Sequence, residues 1–485
     1  MIFNSNLFLF CFLPVFLLIY LLISRKFRNG FLLVASIFFY SCGAPVFVFL
    51  MLGSVIADFF LLKRIASSGE GRKRILFWLS VILNLGILLW FKYMNFFVNE
   101  FNSFLGYFDL KPLVWPTIIL PLGISFITFQ KLACTLDVAK KRFVPFRNLP
   151  DYALYIFMFP QLLSGPIVRP SQVAGQIAER SGQETVSDRL VGFSRFVIGL
   201  AKKVLVADVL ALQVNAIFEL NSLQLSSGMA WIGAIAFTFQ IYFDFSGYTD
   251  MALGLARLLG FRLPENFNFP YVSQSITEFW RRWHMTLSLW FRDYVFLPLA
   301  YSTSRALPKE KYFGLRADKI IYLVAATVTF LLCGFWHGAA LKFIFWGGYQ
   351  GLFLVLDRLF LLKFFRIIGK IPSMLITFSV TVIGWVMFRS EGLHFFYFYV
   401  RRMFMFTGAD NAIILNPEFW TMMIIAIIFS FLGISKNIEQ KIEQFYDIPR
   451  DRVLIPAAVI SLLLLILCEA AVSSSGFSPA IYLKF

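Results

Sequence analysis

Three histidines, His284, His337 and His394, are the natural acid–base groups of this chain near neutral pH. His337 stands in Phe335-Trp336-His337-Gly338, beside the small residues Gly334, Ala339 and Ala340. Small residues let a second backbone or a substrate come close. A histidine there can act as general base toward an incoming hydroxyl, or serve as a hydrogen-bonded structural group, and both readings are open. His284 lies in Glu278-Phe279-Trp280-Arg281-Arg282-Trp283-His284-Met285-Thr286-Leu287-Ser288. Read as one helix, this segment puts Trp280, His284 and Ser288 on one face and pairs Glu278 with Arg282 on another. Arg292 and Asp293 follow in Trp290-Phe291-Arg292-Asp293-Tyr294. Charges this dense in apolar sequence need mutual pairing or water, as the lining of an anion site or as a structural ion-pair knot.

A further island is Tyr242-Phe243-Asp244-Phe245-Ser246-Gly247-Tyr248-Thr249-Asp250, expected at the end of a span. Its carboxylates can orient a histidine, bind a cation or satisfy backbone donors. His394, beside Phe395, Phe396 and Tyr397, reads as an interfacial residue. Other chemistries find no motif. The chain has no Walker A run, no Gly-x-Ser-x-Gly and no His-Glu-x-x-His. Its five cysteines, at 11, 42, 134, 333 and 468, show neither Cys-x-x-Cys nor zinc spacing, so neither a metal nor a disulfide framework is expected.

These groups must be held by membrane helices. Of 485 residues, 59% are hydrophobic and 15% charged, against roughly 25% charged in a soluble domain. Mean hydropathy is +0.75. An ordinary soluble domain and a disordered chain are both excluded. The net charge of +17 belongs to the Lys/Arg bias of cytoplasmic loops, not to nucleic-acid binding.

The first apolar run, 7–23, precedes Arg25, Lys26 and Arg28 rather than following a basic segment. It is therefore an inward-running span and not a signal peptide. The run 31–62 exceeds the ~20 residues that one crossing needs, and Gly43-Ala44-Pro45 interrupts it. Two spans with a turn at Pro45 bring the next basic cluster back inside. Further spans are expected at 75–98, 117–136, 190–212 and 229–245. An apolar hairpin follows at 320–336 and 341–356, then spans at 375–388, 420–432 and 453–467. Segments 152–168 and 283–299 look re-entrant, which is tolerated only where protein buries them. The reading is an all-α polytopic membrane protein with about 12 transmembrane helices. It forms one membrane-embedded domain over 1–485, with both termini external and re-entrant segments forming a tunnel.

Several islands resemble the membrane-bound O-acyltransferase family, and within it the bacterial alginate O-acetyltransferase branch. They include Asn266-Phe267-Asn268-Phe269-Pro270-Tyr271, Ser273 to His284, Leu287-Ser288 and Arg292-Asp293-Tyr294. Phe243 to Tyr248, Gly334 to Ala339, Phe159 to Leu162 with Gly165-Pro166, and Pro121 to Phe126 match too. The resemblance implies that His337 is the catalytic histidine and His284 a second histidine near the same tunnel. It implies acyl transfer from a cytoplasmic thioester, acetyl-CoA or an acyl-carrier protein, toward hydroxyls of an exported polysaccharide. No cofactor beyond that donor substrate is implied. A separate periplasmic or extracellular acyltransferase partner would complete transfer, and the setting would be the bacterial inner membrane. Trp336, Trp283, Arg281, Arg282, Asp293, Asp244 and Ser288 are the tunnel candidates. A lipid O-acyltransferase and a transporter are the competing readings, although the paired repeats usual in transporters are absent.

Overall fold

The computed structural model describes residues 1–163, 165–180, 182, 184–221, 224–312, 314–406, 413–447 and 451–475. Most of them are helical. Among the described residues the sole sheet is Lys311–Tyr312 against Leu315–Arg316. The chain divides into two compact units, Met1–Asp188 with Leu255–Pro264, and Arg189–Gly254 with Glu265–Phe485.

The first unit contains α1 (Leu7–Leu22), α2 (Arg28–Gly43), α3 (Phe47–Ser67), α4 (Glu70–Gly106), α5 (Ile124–Ala139) and α6 (Leu149–Phe157). The run 31–62 breaks at Ala44-Pro45, as the charges require. The span expected at 117–136 starts later, at Ile124. Pro116 and Pro121 cannot donate to a helix, and Gly123 has φ +73°, so the chain enters α5 through a left-handed turn. Segment 152–168 is broken at Met158, and every side chain from Tyr152 to Phe159 is buried. The polar centre of this unit is Asp58, which is inaccessible to solvent. It accepts hydrogen bonds from Ser80 (2.8 Å) and Asn84 (3.0 Å) of α4 and from Tyr152 (2.5 Å) of α6. A carboxylate satisfied by three donors locks these helices in one register.

The second unit contains most of α7 (Val186–Ala201) and of α8 (Ser227–Leu258), with α9 (Ile276–Arg282), α10 (Met285–Phe291), α11 (Ala317–His337), α12 (Leu341–Leu356), α13 (Lys370–Arg389), α14 (Pro417–Phe431), α15 (Lys436–Asp447) and α16 (Asp451–Ser475). The island 242–250 does not end a span: α8 is 32 residues long and runs straight through it. Its carboxylates are tolerated there because each meets cations. Asp244 faces Lys203 at 2.8 Å, and Asp250 faces Arg195 (3.0 Å) and Lys202 (2.6 Å).

The expected hairpin is α11 against α12. It closes on glycines, since a Cβ on Gly347 would overlap the Phe330 carbonyl and lie 3.0 Å from Gly334 Cα. At Gly348 it would meet only the Leu331 side chain, at 3.6 Å. Gly347→Ala should therefore destabilise the protein by about 3 kcal/mol, with Gly348→Ala near neutral. Thermal unfolding in detergent checks this, and equal transition temperatures would refute the close crossing.

Five helices among the described residues are long and apolar enough to cross a membrane: Glu70–Gly106, Ala317–His337, Lys370–Arg389, Pro417–Ile434 and Arg452–Ser473. Length and composition together thus mark five of the roughly 12 crossings that the charge pattern predicts. The others fall on helices that are shorter or broken or, like α3 and α8, long but interrupted by charged and polar residues.

Candidate active site

His284 does not sit within a helix. The helix expected through 278–288 breaks at Trp283, which is extended, and His284 takes a left-handed conformation (φ +43°, ψ 51°) as the residue that opens α10. The cause lies in the preceding segment. Met285 N–H donates to Asn266 O and Asn268 N–H donates to Arg282 O, both at 2.9 Å. This ladder takes the hydrogen bonds that a continuous helix would use. Trp280 therefore stays on α9, while His284 and Ser288 lie one turn apart at the start of α10. The Glu278–Arg282 pair forms as expected, at 3.0 Å. A non-glycine residue held at positive φ is a strained conformation that packing must enforce.

His337 is the last residue of α11, and the chain leaves it extended through Gly338. Glycine is needed there because a Cβ would run into the Phe343 ring. The imidazole is boxed by aromatic rings, with centroids 4.8 Å from Trp336, 5.0 Å from Trp346 and 5.5 Å from Phe388. Trp336 also lies 6.4 Å from His284. One indole thus neighbours both histidines, which are themselves buried.

A cavity of about 510 Å³ is lined by neighbouring turns of α10 and α11, and its lining does not include His284, Trp336 or His337. Its walls are mainly apolar, from Trp280, Phe291, Phe330 and Leu354, with Arg281, Arg292, Glu265, Thr277, Thr329 and Ser288 among the polar groups. Cys333 lines it on α11, one turn before His337, and Ser288 lines it on α10, one turn after His284. The cavity therefore lies one helical turn along the chain from each histidine. Trp280, also in the lining, has its ring 5.9 Å from the Trp346 that packs against His337.

The other expected residues separate by role. Arg281 is exposed and lines the cavity, as does Ser288, which is partly buried. Arg282 is engaged elsewhere, with Glu278, with Glu439 of α15 at 2.9 Å and with the Asn268 carbonyl at 3.1 Å. Trp283 is packed between Trp385 (4.8 Å) and Phe267 (5.0 Å). Asp293 pairs with Arg292 at 2.7 Å. Asp244 and Asp208 neutralise the buried Lys203. His394 is exposed on the helix Leu393–Phe404. Three neighbours of the histidines were not among the expected site residues: Trp346, Phe388 and Asn266, the last of which stands in an island of the resemblance without a role. Asn266 lies within hydrogen-bond distance of His284, at 3.1 Å.

Residues 76–388, which include both histidines and the whole cavity lining, match MBOAT, the membrane-bound O-acyltransferase family. The chain belongs to that family. A probable alginate O-acetylase of Pseudomonas aeruginosa is 37% identical over 93% of this chain and 83% of its own length. A peptidoglycan O-acetyltransferase of Helicobacter pylori is 34% identical, covering 81% of this chain and 78% of its own. A teichoic acid D-alanyltransferase of Bacillus subtilis is 29% identical over 56% and 69%. This membrane-bound O-acyltransferase is accordingly a multi-pass membrane enzyme, and its paired histidines lie inside the matched region.

Proposed function

We propose that this enzyme transfers an acetyl group from a cytoplasmic thioester to hydroxyls of an exported polysaccharide, directly or through a separate acyltransferase partner outside the membrane. The observation that carries this reading is the juxtaposition of two buried histidines, His284 and His337, at Trp336, beside a mainly apolar cavity lined by the neighbouring turns of α10 and α11. Alginate and peptidoglycan, named for the relatives that match most of this chain, support a polysaccharide acceptor and an acetyl group.

In the proposed reaction His337 takes the proton of the attacking hydroxyl as its oxygen adds to the thioester carbonyl. Collapse of the tetrahedral intermediate breaks the carbon–sulfur bond. The sulfur leaves as thiolate and recovers the proton, so one ester and one free thiol form per turnover. His284 assists as a second acid–base or positioning group. Aromatic walls exclude water, which would otherwise hydrolyse the thioester. About 510 Å³ suits the slender arm of acetyl-CoA, and Arg281 and Arg292 are cations for its phosphates. The D-alanyl relative matches little more than half of the chain, so acetyl-CoA is preferred to a carrier protein as donor. The roughly 12 crossings of the charge pattern, in a bacterial inner membrane, would place the donor mouth beside the cytoplasmic basic loops.

Membrane vesicles holding the enzyme, given acetyl-CoA and a glycan acceptor, should release free thiol and gain alkali-labile acetyl ester in equal amounts. Ester formation only from an acylated carrier protein would overturn the acetyl-CoA reading. Acceptor-independent movement of a solute would favour transport.

A further inference from the structure

We propose that Asn266 is a positioning residue that holds His284 with its hydrogen on Nδ1, leaving Nε2 as the ring atom where a proton comes and goes. The inference rests on the acyl-transfer reading and deepens it. Asn266 Oδ1 lies 3.2 Å from Thr286 N, 2.9 Å from Thr286 Oγ1 and 3.1 Å from His284 Nδ1. Amide oxygen and nitrogen are hard to tell apart by shape, but their partners decide here. The Thr286 backbone N–H can only donate, so the Asn266 atom facing it is the oxygen. That oxygen carries no hydrogen. The hydrogen shared with His284 must therefore belong to Nδ1, in the neutral and the protonated ring alike.

The arrangement is fixed from both sides. Asn266 and His284 are inaccessible to solvent. The Asn266 carbonyl accepts Met285 N–H in the backbone ladder that also breaks the helix at Trp283. The left-handed turn at His284 brings its ring onto the amide, with the edge of Phe245 4.8 Å away and Trp336 beyond. These two rings, from α8 and α11, carry no charge. A neutral amide thus chooses the tautomer without adding an anion, as a carboxylate would.

Asn266 Oδ1 also satisfies the first turn of α10 through Thr286, so a purely structural role must be separated from the positioning role. The test uses thiol release from acetyl-CoA by purified His284→Ala, Asn266→Ala, Asn266→Asp and the double Asn266→Ala/His284→Ala. Each variant is first checked for a single chromatographic peak. Asn266→Ala should lose about 10–100-fold, close to His284→Ala, and the double should be no slower than His284→Ala alone. Asn266→Asp keeps the acceptor. It should recover to within about tenfold of wild type, with the acid limb of its rate profile displaced upward by about one pH unit.

Losses that multiply in the double variant would overturn the proposal. So would an Asn266→Asp enzyme as slow as Asn266→Ala with an unshifted profile, which would leave Asn266 as a helix cap only. A wild-type rate in Asn266→Ala, with His284→Ala slow, sinks the positioning role and spares the reading of His284. A wild-type rate in His284→Ala removes His284 from the reaction and the proposal with it. If Asn266→Ala does not fold, the pH profile of Asn266→Asp decides alone.

Discussion

His337→Ala is expected to lower thiol release from acetyl-CoA by about 10³-fold, the scale of a lost general base. The reaction needs a group that accepts a proton from an alcohol near neutral pH, and histidine is the side chain whose ordinary range suits that task. His394 cannot substitute, because it is exposed on a separate helix. His284 is a separate group on α10, its ring 6.4 Å from that of Trp336. Removing the ring also empties an aromatic box, so Ala alone would mix catalysis with packing loss of about 1–3 kcal/mol. His337→Gln separates the two. It refills most of the volume and keeps polar atoms, so unfolding should stay near that of wild type while activity remains lost. His394→Ala should be indistinguishable from wild type. A His337→Gln enzyme retaining more than about a tenth of the rate would remove His337 from the proton transfer.

How far the sequence reaches toward this arrangement depends on whether the relevant contact is periodic. Apolar runs and basic clusters predicted the α2–α3 break at Pro45 and the α11–α12 hairpin, because length, proline and the Lys/Arg bias act locally. The Glu278–Arg282 pair was legible as an i, i+4 spacing. The break at Trp283 was not, since its cause is a backbone ladder from Asn266 and Asn268. The same ladder splits the expected Trp280, His284, Ser288 face. Continuity of α8 through Asp244 and Asp250 was hidden too, because the cations that neutralise them come from residues 195–203. Site residues followed the same rule. Histidines in apolar sequence advertise themselves. Asn266, Trp346 and Phe388 become functional candidates only through contacts distant in sequence.

Cys333→Trp is expected to lower kcat/KM for acetyl-CoA by about 100-fold, equivalent to about 2.7 kcal/mol. Cys333 lines the cavity one helical turn before His337, and a large ring there would fill part of the space that the donor arm is proposed to occupy. Two controls locate the effect. Cys333→Ala enlarges the cavity slightly and should stay within about threefold of wild type, which also tests whether the thiol itself takes part. Leu332 precedes it on α11 but is 46% exposed, so Leu332→Trp adds similar bulk on the outer side and should leave the rate unchanged. A donor that occupies the cavity should also protect Cys333 from maleimide in a variant whose other cysteines are replaced. If Cys333→Trp folds and turns over acetyl-CoA normally, the donor reaches His337 by another path and the cavity must hold something else. If Cys333→Trp fails and Leu332→Trp does not, obstruction rather than helix distortion is the cause, because both substitutions burden the same turn of α11.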